Sequence, residues 1–113
     1  MHELSLCEGI LQVIEEQHRN GAFTRVRTLW LEIGALAGVE PDALRFGFDV
    51  VTRGSVAEGA RLEIIEQPGQ AWCLPCGAQV VVAARHSACP RCHSHQLQVT
   101  GGEELRIHSM EVE

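Results

Sequence analysis

Two pairs of cysteines, each with two residues between its members, constrain the fold of this chain more than any other feature. Cys73 and Cys76 form the first pair, Cys89 and Cys92 form the second, and twelve residues separate the pairs. Each pair can fold as a tight turn that points both sulfur atoms at one ion, and four thiolates make a closed tetrahedral zinc site. The sequence therefore predicts a structural zinc whose role is to fold a segment too small to fold by itself.

Other uses of paired cysteines fit the sequence less well. Cys89 to His93 matches the haem-attachment pattern C-x-x-C-H, but that chemistry needs an exported chain, and we find no signal peptide. A thioredoxin-like redox pair would need one C-x-x-C motif at the start of a helix in an α/β fold, and the sequence does not show that arrangement. A rubredoxin-like iron site uses the same ligand geometry, so iron remains an alternative to zinc. The nearby His86, His93 and His95 fit either a solvated loop or groups that modulate the metal site.

The charge of the chain argues against several classes of partner. The net charge is −6 over 113 residues, and all nine basic residues are arginines. Nucleic acid and anionic membranes both require clustered positive charge, so we expect neither as a partner. Without an export signal or an apolar run of transmembrane length, we expect a cytoplasmic protein whose cysteines bind metal rather than form disulfides. Residues 34–38 hold two glycines but no basic residue for phosphate, and nothing in the sequence argues for an enzyme.

Hydrophobic periodicity predicts an α+β fold. We expect two α-helices, at residues 4–19 and from Pro41 to Arg53-Gly54, packed with a small mixed β-sheet of about three strands. The expected strands are residues 25–33, 60–66 and 105–112. The last strand is expected to return to the first sheet, which makes the cysteine-rich segment an inserted zinc-ribbon-like module. The predicted domains are 1–67 plus 102–113, and 68–101.

The first three residues offer a second kind of metal site. The bulky His2 is expected to keep Met1 in place, because methionine aminopeptidases act only before small residues. The α-amine, an amide nitrogen and the imidazole of His2 can then close fused chelate rings on one ion, which suits nickel(II) or copper(II). Cys7, on the inner face of the first helix, is expected to be a small buried apolar residue.

Several segments stand out beside the cysteine pairs. They are Met1-His2-Glu3-Leu4-Ser5-Leu6-Cys7, Leu31-Glu32-Ile33-Gly34, Arg53-Gly54-Ser55-Val56-Ala57-Glu58-Gly59 and Ile107-His108-Ser109-Met110-Glu111-Val112-Glu113. Together with the two cysteine pairs they resemble the HypA/HybF nickel-incorporation proteins over the full length, and the opening looks closest to the HybF branch.

The resemblance implies a nickel metallochaperone for [NiFe]-hydrogenase maturation. It implies transported nickel at Met1, His2 and Glu3, with Glu40 as a further candidate, and structural zinc at the four cysteines. The implied partners are a HypB-type GTPase and the hydrogenase large-subunit precursor, and the short strands leave room for a homodimer. The alternative is a zinc-ribbon interaction adaptor in which Met1-His2-Glu3 is incidental. A nucleic-acid-binding ribbon ranks third because of the charge and the few aromatic residues.

Overall fold

The structure is a computed structural model that describes residues 2–21 and 23–113, and for His2 only the backbone. It contains two helices and six strands. They are α1 His2–Arg19, β1 Val26–Gly34, α2 Pro41–Val51, β2 Arg61–Gln67, β3 Gly69–Cys73, β4 Ala78–Val82, β5 Leu97–Gly101 and β6 Leu105–Val112. The strands form two three-stranded sheets, with the orders β2-β1-β6 and β4-β3-β5.

The chain divides into two compact units. The first comprises Met1–Leu31, Val39–Ile64 and Ile107–Glu113, and the second comprises Glu32–Gly38 and Ile65–Arg106. The predicted α+β class, with two helices, a three-stranded sheet and a cysteine-rich module, is confirmed. The domain limits expected from the sequence stay a prediction.

In the first unit, α1 and α2 pack against each other, and Val26, Leu29 and Leu31 of β1 are buried as well. Cys7, Ile10 and Ile14 are buried at intervals of three and four residues, which places them on one face of α1. On α2, Leu44, Gly47 and Phe48 are buried. A Cβ atom on Gly47 would lie 3.3 Å from Cys7 Sγ, so the glycine lets the two helices approach closely.

Side-chain and glycine signals in the sequence set the helix ends. Gly21 has a φ of 82° and donates its N–H to the carbonyl of His18, closing the helix α1 as Asn20-Gly21 predicts. At the end of α2 the buried Thr52 donates both its N–H and its hydroxyl to the carbonyl of Phe48. Burying each large aliphatic side chain of such a core contributes about 1.5–3 kcal/mol.

The second unit has its own small core, which the sequence did not reveal. Six buried residues form it: Leu36, Ala71, Cys73, Val80, Val82 and Cys89. The strands β3 and β4 pair antiparallel, and so do β3 and β5. A Cβ atom on Gly69 would lie 2.5 Å from the carbonyl oxygen of Val82 and 2.7 Å from Leu36 Cγ, so only glycine fits there.

The sequence-based element limits are correct to within about two residues, as expected for such boundaries. Helix α1 begins at His2 rather than at residue 4, α2 ends at Val51 rather than near Arg53, and β6 joins the first sheet beside β1 as expected. The segment 68–101 departs most from expectation. The sequence predicted only a zinc-ribbon-like module there, and the structure shows that this segment forms the three-stranded sheet of β3, β4 and β5.

Candidate metal centre

The four cysteine thiols of the second unit converge on one point. Their sulfur atoms all lie within 4.8 Å of one another, with Cys73 Sγ 3.5 Å from Cys92 Sγ and Cys76 Sγ 3.9 Å from Cys89 Sγ. A tetrahedral zinc–thiolate centre with bonds of about 2.3 Å places its sulfur atoms about 3.8 Å apart. The measured separations lie on either side of that value, so the donor set fits zinc.

Each cysteine pair belongs to the same kind of turn. The N–H of Gly77 donates to the carbonyl of Cys73 at 2.8 Å, and the N–H of His93 donates to the carbonyl of Cys89 at 2.8 Å. Both donors have a left-handed backbone, with φ 60° at Gly77 and 65° at His93. His93 is the one described non-glycine residue with a positive φ, so the second turn accepts strain that the first avoids.

Within the cluster, Cys89 loses its proton more easily than Cys73 or Cys76. Burial opposes ionisation of Cys89, but the backbone N–H groups of Cys92 and Arg91 lower its pKa to about 6. The Arg91 N–H lies 3.3 Å from Cys89 Sγ. Its neighbours respond in the opposite direction: the side chains of Cys92 and Cys73 raise the pKa of Cys76 to about 12, and burial raises that of Cys73. Such a group binds a dication by releasing protons.

The cluster is anchored in the small core rather than on a loose loop. Cys73 and Cys89 are buried among its apolar residues, Cys76 is partly buried and Cys92 is exposed. His86, His93 and His95 are exposed, which agrees with the solvated-loop interpretation. Among the described residues, the one cluster that could hold a metal ion consists of the four cysteines.

The sequence did not reveal the residues that join the segment after β1 to the rest of the second unit. Residues 34–38 were considered only as a phosphate loop and set aside, yet Leu36 belongs to the small core. Arg85 Nε donates to the carbonyl of Leu36 at 3.0 Å, and the same guanidinium pairs with Glu103. A lone leucine between small residues gave no periodic signal that could have revealed this role.

The predicted nickel ligands are only partly described. Met1 and the His2 side chain lie outside the described residues. The Glu3 carboxylate is described: its Oε2 accepts the Glu40 N–H at 3.3 Å, linking the first turn of α1 to the start of α2.

Glu40 has a structural role that the sequence did not suggest. It is the N-cap of α2, and its two carboxylate oxygens accept the N–H groups of Asp42 at 3.2 Å and Ala43 at 2.8 Å. Pro41 follows in the first helical position, where its missing N–H costs nothing.

Cys7 lies outside both groups of ligands. Its thiol is buried and donates to the carbonyl of Leu44 at 3.4 Å. Burial, with smaller contributions from the charges of Glu3 and Glu8, raises its pKa to about 11. The expectation of a small buried apolar residue is confirmed, because such a thiol is protonated at neutral pH.

Comparison with known proteins shows the family. Residues 1–112 match the model of the family described as HypA, hydrogenase/urease nickel incorporation, metallochaperone. Proteins named hydrogenase maturation factor HypA from Acidithiobacillus ferrooxidans and Azotobacter vinelandii are 65% and 62% identical to this chain, with all of both chains covered. These matches do not distinguish a HybF branch, so that narrower expectation stays a prediction.

Solved structures show the same fold. The solution structure of the Ni metallochaperone HypA from Helicobacter pylori matches with a TM-score of 0.69 at 22% identity, covering 97% of this chain and 96% of that one. A second solution structure of a HypA protein gives a TM-score of 0.70 at 24% identity, covering 99% and 96%. With the full-length family match and the four-thiol cluster, these findings establish that the chain belongs to the HypA family of hydrogenase maturation factors and nickel metallochaperones.

Proposed function

We propose that this protein binds Ni(II) at its amino terminus and delivers it to the large-subunit precursor of a [NiFe]-hydrogenase. The observation that carries the proposal is the family match over residues 1–112, which includes Met1-His2-Glu3 at the start. The proposed ligands are the Met1 amine, the His2 amide and imidazole, and the amide of Glu3. Nitrogen-rich sets of this kind suit the tetragonal preference of nickel.

A site at the end of a helix supports transfer rather than storage. Helix α1 begins at His2, so coordinating its first amides disturbs the end of the helix and not its interior. Ligands that follow one another at a chain end can be exchanged one at a time for those of an acceptor. The four-cysteine cluster is different, because it is a closed set anchored in a core, and we propose that it holds a structural zinc.

Glu40 is a further candidate nickel ligand, but its carboxylate already caps α2. Both of its carboxylate oxygens accept N–H groups at the start of α2. To bind nickel, the carboxylate would have to share these oxygens with the metal or leave the cap, and leaving the cap costs about 0.5–2 kcal/mol. We therefore propose that Glu40 acts mainly by positioning the start of α2, to which Glu3 is linked.

We propose a HypB-type GTPase as the working partner, beside the precursor that receives the metal. Membership of a maturation-factor family already implies contact with other maturation components. That family is not a class of catalytic enzymes, and we propose that this chain catalyses no reaction itself and works in the cytoplasm. Among the described residues, no helix is long and apolar enough to cross a membrane.

Calorimetry with nickel tests the proposal. Three zinc-loaded proteins are compared: the chain beginning at Met1, the His2→Ala variant, and a variant with one extra residue before Met1. We expect both changes to abolish tight nickel binding while zinc stays near one per chain. Unchanged nickel affinity in both variants would reject the amino-terminal site and favour the interaction adaptor.

A further inference from the structure

Helix α2 exposes large apolar side chains beside the first turn of α1. Phe46 is 71% exposed and Val50, one turn later, is 36% exposed. Leu4 of α1 is 40% exposed, and its Cδ1 lies 3.7 Å from the position of a Cβ on Gly47, the residue after Phe46. Together with the exposed Ala43, these residues form one surface, which we call the Phe46 face.

This surface does not belong to the core of the first unit. Phe46 and Val50 lie on the side of α2 turned away from Leu44 and Phe48, which are buried. A phenylalanine that is buried removes about 150–250 Å² of surface from water, so leaving Phe46 71% exposed gives up most of that stabilisation. Isolated exposed apolar residues are ordinary. Several that lie side by side, here next to the proposed nickel-binding end of α1, indicate an interaction surface.

Acidic side chains border the Phe46 face. Asp42 and Asp49 are exposed on α2, four residues before and three residues after Phe46, and Glu8 is exposed one turn after Leu4. Arg53 lies 3.5 Å from Asp49 and offsets its charge, and Arg45, between the two aspartates, donates to the carbonyl of Leu62. Glu3 and Glu40 add two carboxylates at the start of the two helices, so carboxylates outnumber arginines around the face. The border is therefore negative in a chain whose net charge is already −6.

The charge of this border selects the occupant. A second copy of the chain would bring the same carboxylates against one another, and nucleic acid or an anionic membrane would be repelled. A positively charged segment would be attracted. Ala43 to Val50 spans about 10 Å along α2, which matches about two turns of a docked helix.

We propose that the Phe46 face binds a basic amphipathic helix of a partner protein. The apolar side of that helix would cover Leu4, Phe46 and Val50, while its lysines and arginines pair with Asp42, Asp49 and Glu8. Helix-in-groove recognition works in this way, with apolar anchors at intervals of three, four and seven residues. The proposal goes beyond nickel binding, because it requires no metal at the amino terminus.

Fluorescence anisotropy with designed peptides tests the docking surface. The probe is a labelled peptide of about 18 residues, long enough to be helical, with leucines at helical spacing and lysines elsewhere. A matched peptide carries glutamate in place of each lysine. We expect the zinc-loaded full chain to bind the lysine peptide and not the glutamate peptide. Phe46→Ser should weaken binding about tenfold or more, as loss of a central aromatic anchor does, and Phe46→Leu should restore most of it.

Further variants distinguish binding at the Phe46 face from nonspecific electrostatic attraction between the peptide and the acidic protein. Asp42→Asn with Asp49→Asn should weaken binding several-fold, whereas Val81→Ser, at a 63% exposed position of the second unit, should leave it unchanged. Absence of lysine-peptide binding, or equal binding by wild type and Phe46→Ser, would overturn the proposal. So would a concentration-dependent dimer in sedimentation that Phe46→Ser abolishes, because a second copy would then occupy the face. Phe46→Ser should keep its nickel affinity, so failure here and failure of the nickel site remain distinguishable.

Discussion

The cysteine cluster of the second unit and the first turn of α1, where we propose the nickel ligands, are built in different ways. In the second unit, two similar turns bring the four thiols within 4.8 Å of one another, and two of these thiols are buried in the small core of that unit. At the start of α1, the Glu3 carboxylate accepts the Glu40 N–H at 3.3 Å. Under the proposed function, this difference separates a metal that holds a fold together from a metal that is delivered to another protein.

Removing one thiol of the cluster should have the largest effect. In Cys76→Ser the three remaining thiols cannot complete a closed site, and structural zinc contributes on the order of 10 kcal/mol to folding of small domains. We expect the second unit to lose its structure while helices α1 and α2 persist. Trp72 lies in the second unit and Trp30 in the first, so single-tryptophan versions made with Trp→Phe report on each unit separately.

Cys7→Ser is the matched control, because it replaces a thiol that lies outside the cluster. It should leave zinc at about one per chain. Loss of zinc from Cys7→Ser, or an intact second unit in Cys76→Ser, would break the distinction between the two regions.

Nickel affinity should also depend on pH. Nickel binding requires an unprotonated amine and imidazole, whose reference pKa values are about 7.7–8.0 and about 6.5. Both groups take up protons as the pH falls from 7.5 to 6, so nickel affinity should fall about a hundredfold or more. Calorimetry at the two pH values measures this change, and equal affinities would refute the nitrogen ligand set.

Close packing in the second unit can be tested without touching a ligand. In Gly69→Ala the new Cβ would meet the Val82 carbonyl oxygen and Leu36, so we expect a loss of about 1–3 kcal/mol in the free energy of unfolding. Gly9→Ala in α1 meets no atom within 4 Å and should stabilise by about 0.5–1 kcal/mol. Urea unfolding followed at Trp72 and Trp30 measures both changes. A neutral Gly69→Ala would contradict the close approach of β3 to Leu36.

The smallest effect is expected from the cap of α2. Glu40→Ala removes the acceptor for two N–H groups and should cost about 1 kcal/mol. Glu40→Gln retains an oxygen that can accept one of them and should recover part of the loss. If Glu40 only positions α2, the visible absorption bands of bound nickel should keep their energies in both variants. Shifted bands would identify the carboxylate as a ligand.

Much of the fold follows from local patterns in the sequence. The buried positions Cys7, Ile10 and Ile14 recur at helical spacing, and Asn20-Gly21 marks the helix end. The cysteine spacing likewise predicted the thiol cluster, because a C-x-x-C turn is a local structure. Such features depend on a few neighbouring residues and can be read without knowing the rest of the fold.

The features that the sequence did not reveal depend on distant partners. Strand β5 contains only Leu97 and Val99 as alternating apolar residues, and it is defined by its pairing with β3. Leu36 enters the core of the second unit although it is far from the cysteines in sequence. Glu40 was considered only as a metal ligand because glutamate is not among the preferred N-cap residues.

Metal content across two variants tests most directly whether the two regions hold separate metals. Wild type, His2→Ala and Cys76→Ser, each beginning at Met1, are dialysed against nickel and zinc and analysed by mass spectrometry of the elements. The account predicts that His2→Ala keeps zinc at about one per chain and loses nickel, while Cys76→Ser loses zinc and keeps nickel. Nickel retained by His2→Ala, or nickel lost together with zinc in Cys76→Ser, would contradict it.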